Sequence, residues 1–172
     1  MGQLKLGNGA DFTGGTSGAL SGAPSGTIIQ IKMGTLTAPA STSTSGSFTD
    51  TGLTCAITPT SATSKVFCMV SLGSISQPAG TSVGFRLVRG STDIGVPDST
   101  ALQSGFTNIY DADQQILASA SFNYLDSPAT TSATTYKITW RNSSSTSYLG
   151  RFNGSATDYN GISTLILMEV SG

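Results

Sequence analysis

Residues 53–71 read Leu53-Thr54-Cys55-Ala56-Ile57-Thr58, then Pro59-Thr60-Ser61-Ala62-Thr63-Ser64, then Lys65-Val66-Phe67-Cys68-Met69-Val70-Ser71. On both sides of the Pro/Ser/Thr segment the apolar residues recur every second position, the period of a half-buried strand and not of a helix. Two such runs joined by a short turn predict an antiparallel hairpin. Pairing Thr58 with Lys65 sets Ile57 opposite Val66, Cys55 opposite Cys68 and Leu53 opposite Val70, all six on one buried face. A slip of one residue would place apolar against polar along the whole pair, so the pattern selects this register.

Working outward, the same period recurs along the rest of the chain, and no window of eleven residues carries a 3.6-residue repeat. Strands are predicted over residues 27–33, 47–51, 53–58, 65–73, 82–89, 115–125, 136–141, 146–153 and 163–170. Val83, Phe85 and Leu87 share a face. So do Ile116, Ala118, Ala120, Phe122 and Tyr124, and, farther on, Tyr136, Ile138 and Trp140. The turns between them carry the residues that turns require: Thr51-Gly52, Arg89-Gly90-Ser91, Asp126-Ser127-Pro128, Asn142-Ser143-Ser144, Asn153-Gly154 and Asn160-Gly161. Eight to ten short strands predict an all-β antiparallel sandwich or jelly roll. The last strand, 163–170, is apolar on both faces. Ile162, Thr164, Ile166, Met168 and Val170 are expected to meet the core. Leu165 and Leu167 are expected to meet the second sheet or a neighbouring subunit near a three-fold axis.

Residues 1–26 differ in kind. Glycine, serine and threonine dominate, and apolar residues stand alone at Leu4, Leu6, Phe12 and Leu20. Such a segment cannot repay its own ordering. It reads as an arm, domain 27–172 being the folded part, and those four side chains are its candidate anchors on a neighbouring subunit or another protein.

Composition narrows the chemistry. The chain of 172 residues has 10% charged residues, a net charge of −1 and no histidine. Ser and Thr make up roughly 30% of it. Eight scattered basic residues leave no electrostatic footprint for nucleic acid. Without histidine there is no Ser-His-Asp triad, Cys-His dyad or His-liganded metal. Glu169 is the only glutamate, so a glutamate pair for glycoside hydrolysis is missing. No apolar run reaches the roughly 18 residues of a membrane span, and Met1–Lys5 opens no signal-peptide core. Neither catalytic nor cofactor-binding nor metal-ligating residues are assigned, and no cofactor is expected.

The remaining candidates each have a bland counterpart. Asp111-Ala112-Asp113 could hold calcium, but it lacks the further ligands of a known calcium loop and reads as a solvated loop. Asp93 and Asp98 flank a turn. Asn142-Ser143-Ser144 and Asn153-Gly154-Ser155 fit the glycosylation pattern by chance in a serine-rich chain. Trp140, Tyr148, Phe152 and Tyr159 could make a sugar-stacking platform or could pack in the core. Cys55 and Cys68 could form a disulfide, but directly cross-strand disulfides are sterically awkward, and reduced buried thiols are expected.

The order of segments carries a resemblance. Pro24-Ser25-Gly26-Thr27-Ile28-Ile29-Gln30 is followed by Ser47-Phe48-Thr49-Asp50-Thr51-Gly52-Leu53, Ile57-Thr58-Pro59-Thr60-Ser61 and Ser64-Lys65-Val66. Then come Gly84-Phe85-Arg86-Leu87-Val88-Arg89-Gly90, Tyr124-Leu125-Asp126-Ser127-Pro128, Thr134-Thr135-Tyr136-Lys137 and the run from Ser163 to Val170. Over residues 24–172 this resembles a family of virion structural proteins of tailed bacteriophages, found in marine and cyanobacterial phages as fibre tips and surface or decoration proteins. The resemblance implies a C1q/TNF-like jelly roll, a homotrimer and no enzymatic activity. It does not cover the arm. The leading expectation is a trimeric surface or decoration knob, located in the virion and anchored through its arm to capsid or tail proteins. The alternative is a short tail-fibre tip that binds a host cell-surface glycan. No nucleic-acid partner and no membrane insertion are expected.

Overall fold

The computed structural model describes residues 23–98, 101, 104–112, 116–153, 157 and 160–172. The arm anchors Leu4, Leu6, Phe12 and Leu20 lie outside these residues. Within them every regular element is a strand: β1 Ile28–Leu36, β2 Ala40–Thr42, β3 Thr49–Ile57, β4 Lys65–Ser76, β5 Thr81–Arg89, β6 Thr92–Ile94, β7 Thr107–Asp111, β8 Leu117–Asp126, β9 Thr134–Asn142, β10 Ser147–Leu149 and β11 Ser163–Val170.

The strands form two antiparallel sheets. Sheet I runs β1-β11-β4-β10-β2, with β8 on the other edge of β4; sheet II runs β3-β9-β5-β6, with β7 also on β5. Each of the long connections β3 to β4, β4 to β5, β7 to β8 and β8 to β9 crosses from one sheet to the other. The chain is therefore wound as a jelly-roll sandwich, the expected fold class. Between the sheets lies one core, with Trp140, Tyr136, Phe85, Leu53, Leu165 and Leu167 at 1% exposure or less. The alternation in β5, β8 and β9 points the expected residues inward: Val83, Phe85 and Leu87 are buried, as are Tyr136, Ile138 and Trp140.

Two sequence expectations are corrected here. The first is the hairpin. β3 pairs with β9, placing Cys55 opposite Tyr136, whereas β4 is flanked by β11 and β8. Residues 58–64 thus carry the chain across the sandwich instead of turning it back within a sheet. The inward faces were read correctly, since Leu53, Cys55, Ile57, Val66, Cys68 and Val70 are all buried. They meet across the core, as two inner faces about 10 Å apart do. The second concerns 47–51 and 53–58, which are one strand with a bulge between Asp50 and Thr54. Gly52, at φ +92°, supplies the left-handed residue of that bulge. The Thr51 hydroxyl fastens it by donating to the Ile138 carbonyl at 2.8 Å and accepting from the Leu53 amide.

On the β1 side the sandwich closes tightly. A Cβ at Gly34 would lie 2.0 Å from the Thr54 carbonyl oxygen, so β1 and β3 approach only because that residue is glycine. The neighbouring end of β11 is pinned by Glu169, which is fully buried. Its carboxylate accepts from the Gln30 amide at 2.6 Å and from the Thr60 amide and hydroxyl at 2.7 Å. Burial opposes its ionisation, but these donors outweigh burial and hold the carboxyl below the ordinary glutamate range. Its contribution to stability is therefore complete above the unfolded value of about 4.3 and is lost as pH falls through the lower folded value. The stability difference between wild type and Glu169→Gln should be flat from about pH 8 to about pH 5 and shrink below about pH 4 in thermal melts. A difference that grows on acidification would contradict this.

Candidate functional site

Several titratable groups among the described residues hold the fold together. Arg89 donates through Nη1 to both carboxylate oxygens of Asp126 at 2.8 Å, and the buried Tyr136 hydroxyl donates to the same carboxylate at 2.6 Å. Burial and then the Asp126 acceptor raise the Tyr136 phenol far above its ordinary value. This cluster ties β8 of sheet I to β5 and β9 of sheet II. Asp111 accepts from the Ile116 amide at 2.9 Å; Asp113, the other half of the candidate calcium pair, lies outside the described residues. Asp93 pairs with Arg86 at 2.6 Å. Among the described residues no group of three His, Cys, Asp or Glu side chains could hold a metal ion, and no helix is long and apolar enough to cross a membrane.

Both cysteines are free and buried. Burial pushes the Cys68 thiol up to about 12, with help from the negative Asp126 and from Cys55. Burial also raises Cys55, partly offset by Lys32. Since the thiolate is the nucleophile, iodoacetamide at about pH 8 should leave native protein unmodified and label two thiols in denaturant. Rapid labelling of folded protein would contradict the burial.

Trp140 takes no part in the expected sugar platform. Trp140 is 1% exposed and packs on Phe85 in the core, ring centroids 6.1 Å apart. Tyr148 lies on β10 beneath the Arg151 guanidinium, 4.2 Å from its ring centroid. Tyr159 is outside the described residues.

The trimer-interface assignment of Leu165 and Leu167 is also corrected. Both are 0% exposed and belong to the chain's own core. Ser163, Leu165, Leu167 and Glu169 point inward, so Thr164, Ile166, Met168 and Val170 point outward and are only half-buried. The larger apolar set of this strand lies on the outer face.

Register carries that face across the sheet. One row runs Ile31–Met168–Phe67–Leu125 and the next Met33–Ile166–Met69–Asn123. Ile28, Val170 and Lys65 stand on one side of these rows, and Thr35, Thr164, Ser71 and Ser121 close the other with hydroxyls. The margins are the most open: Ile31 is 58% and Met33 63% exposed on β1, and Leu125 48% on β8. The outer face of sheet II is opposite in character. It presents Thr54, Lys137, Arg141, Arg86 and Asn108, with ion pairs from Lys137 to Asp50 at 2.9 Å and from Arg86 to Asp93, and with Arg86 stacked 3.7 Å over Phe48. One face is built for water and the other is not.

A second apolar surface opens at the margin of β8. Phe122 and Tyr124 of this strand stack with Phe106, the ring pairs Phe106–Phe122 and Phe122–Tyr124 being 4.7 and 6.1 Å apart and within 10° and 14° of parallel. With Val96 and Pro97 they line a recess of about 430 Å³. Gly95, at φ +62°, forms part of the wall because a Cβ there would come within 2.7 Å of the Phe122 ring. Sequence reading placed Phe122 and Tyr124 on one face of their strand but gave no sign of this opening. The sign of the outer face was present in Phe67 and Met69, two large apolar residues on the alternate positions of β4.

No protein-family model matches the chain, and no curated protein matches it.

Proposed function

We infer that the chain is a non-enzymatic structural protein of a phage virion: a C1q/TNF-like trimeric knob on the particle surface, attached to capsid or tail proteins through its N-terminal arm. The observation that carries the reading is the contrast between the two outer faces. A sandwich that works alone in water keeps both outer faces polar. Here sheet II is polar, while sheet I presents two adjacent rows of Ile, Met, Phe and Leu, broken only by Asn123 on β8. Burying that face against further copies gives it a role that requires no catalytic group. The jelly-roll winding and the ordered segments that resemble phage surface proteins support the same reading. The test is imaging of intact virions that carry the protein with an N-terminal tag. Three-fold knobs repeated at icosahedral sites are the expected result. Density confined to the tail tip would replace the decoration role with host attachment, and absence from purified particles would overturn the reading.

A further inference from the structure

The core changes character at the end of the sandwich away from residue 23, which sits beside Ser171. On sheet I the inward row Ala40–Leu149–Ile75 is followed by Thr42 and Ser147, with Gln77 one place past the paired Ser76. On sheet II, Trp140 gives way to Asn142 along β9, and Val83 to Thr81 along β5. All five polar side chains are buried, and Ser147, Gln77 and Asn142 are 0% exposed. The inner faces stand about 10 Å apart throughout. Ser147 is much shorter than Leu149 of the row before, so it leaves room across from Asn142.

The two amides are fixed in orientation by what they donate. Gln77 Nε2 donates to the Ile109 carbonyl at 2.9 Å and to the Thr81 carbonyl at 3.3 Å. Asn142 Nδ2 donates to the Thr42 carbonyl at 3.1 Å and to the Ser145 carbonyl. Turning either amide over would set its oxygen against two carbonyl oxygens, so Gln77 Oε1 and Asn142 Oδ1 are held as acceptors. Neither has a protein donor, and the Ser147 hydroxyl between the two strands has no protein partner. That hydroxyl carries a single hydrogen and could serve only one of the two amide oxygens. Buried polar atoms in folded proteins are paired with protein or with an ordered water.

We propose that this polar end of the core is a binding site for one internal water molecule. The water donates one hydrogen to Gln77 Oε1 and the other to Asn142 Oδ1, and accepts from the Ser147 hydroxyl. Three such bonds are what an internal water typically makes. Gln77 and Ser147 belong to sheet I and Asn142 to sheet II, so the water joins both sheets where the strands are shortest, three residues each in β2 and β10. A metal cation is the poorer occupant. Thr42, Gln77, Thr81, Asn142 and Ser147 are all neutral, and a cation buried among them would lack a compensating charge. Asp111, in register with Thr81, accepts from the Ile116 amide.

Crystals of the 172-residue chain, one set of them soaked in rubidium chloride, test the site. The expected map has a single peak about 2.5–3.0 Å from Gln77 Oε1, Asn142 Oδ1 and Ser147 Oγ, without anomalous signal after the soak. An anomalous peak, or contacts shortened to the roughly 2.4 Å of a hard cation, overturns the water in favour of an ion. A map without a peak that touches both amide oxygens overturns the site altogether.

Discussion

Asp126→Ala is expected to lower folding stability by about 3 kcal/mol, a large share of the roughly 5–15 kcal/mol that holds a domain of this kind. Asp126 is 5% exposed and is the shared acceptor of Arg89 and Tyr136. Its removal leaves the Tyr136 hydroxyl, on a fully buried side chain, without its acceptor. The Arg89 side chain is 26% exposed and keeps the Ser127 carbonyl as a partner, so solvent relieves part of its loss and the effect stays near the low end for a broken buried pair. Tyr136→Phe removes one donor and leaves the ion pair intact, and should lower stability by only about 1 kcal/mol. Urea unfolding of the two variants measures both. An Asp126→Ala effect no larger than that of Tyr136→Phe would show that the cluster is not the tie between the sheets.

The second large effect separates two adjacent residues. Leu167 is fully buried in the core and Met168 lies on the outer face, between Ile31 and Phe67. Leu167→Ala should cost about 2–5 kcal/mol of folding free energy through the cavity it leaves. Met168→Asp should leave the fold intact, because its side chain faces out of the sandwich, yet place a charge in the centre of the proposed contact, where a desolvated carboxylate has no partner. The expected readout is a folded monomer by circular dichroism and light scattering. A Met168→Asp variant that still assembles would remove sheet I from the interface. One that unfolds, with Leu167→Ala unaffected, would reverse the two faces of β11.

The strand pattern was legible because alternation reports directly which side chains face a core. This is why the faces of β5, β8 and β9 could be read from Val83, Phe122 and Trp140. Pairing was not legible. Leu53-Thr54-Cys55-Ala56-Ile57 and Val66-Phe67-Cys68-Met69-Val70 have the same pattern whether their strands lie side by side or face each other across the sandwich. Only the long-range partners, Tyr136 for Cys55 and Leu167 for Cys68, decide between these arrangements. The three-residue strands β2, β6 and β10 are too short to show a period.

The misread faces of β11 are more instructive. Counting apolar residues assigned Ile166 and Met168 to the core and left Leu165 and Leu167 to the second sheet or a neighbouring subunit, and it is the second sheet that they meet. The count fails because the outer face is itself apolar and because the inward set includes Glu169, which Gln30 and Thr60 satisfy. A local rule breaks where both faces of a strand carry large apolar side chains. The aromatic recess was hidden for a related reason: it is formed by residues of β8 and of the connection between β6 and β7, and no single stretch of sequence contains it.

The central claim is that sheet I is covered by further copies of the same chain. Light scattering of the 172-residue chain, purified without denaturant and held at micromolar concentration, tests it most directly. The account predicts a particle of three times the 17.5 kDa chain mass, unchanged on moderate dilution. A particle of 17.5 kDa, with its apolar face open to water, would contradict it.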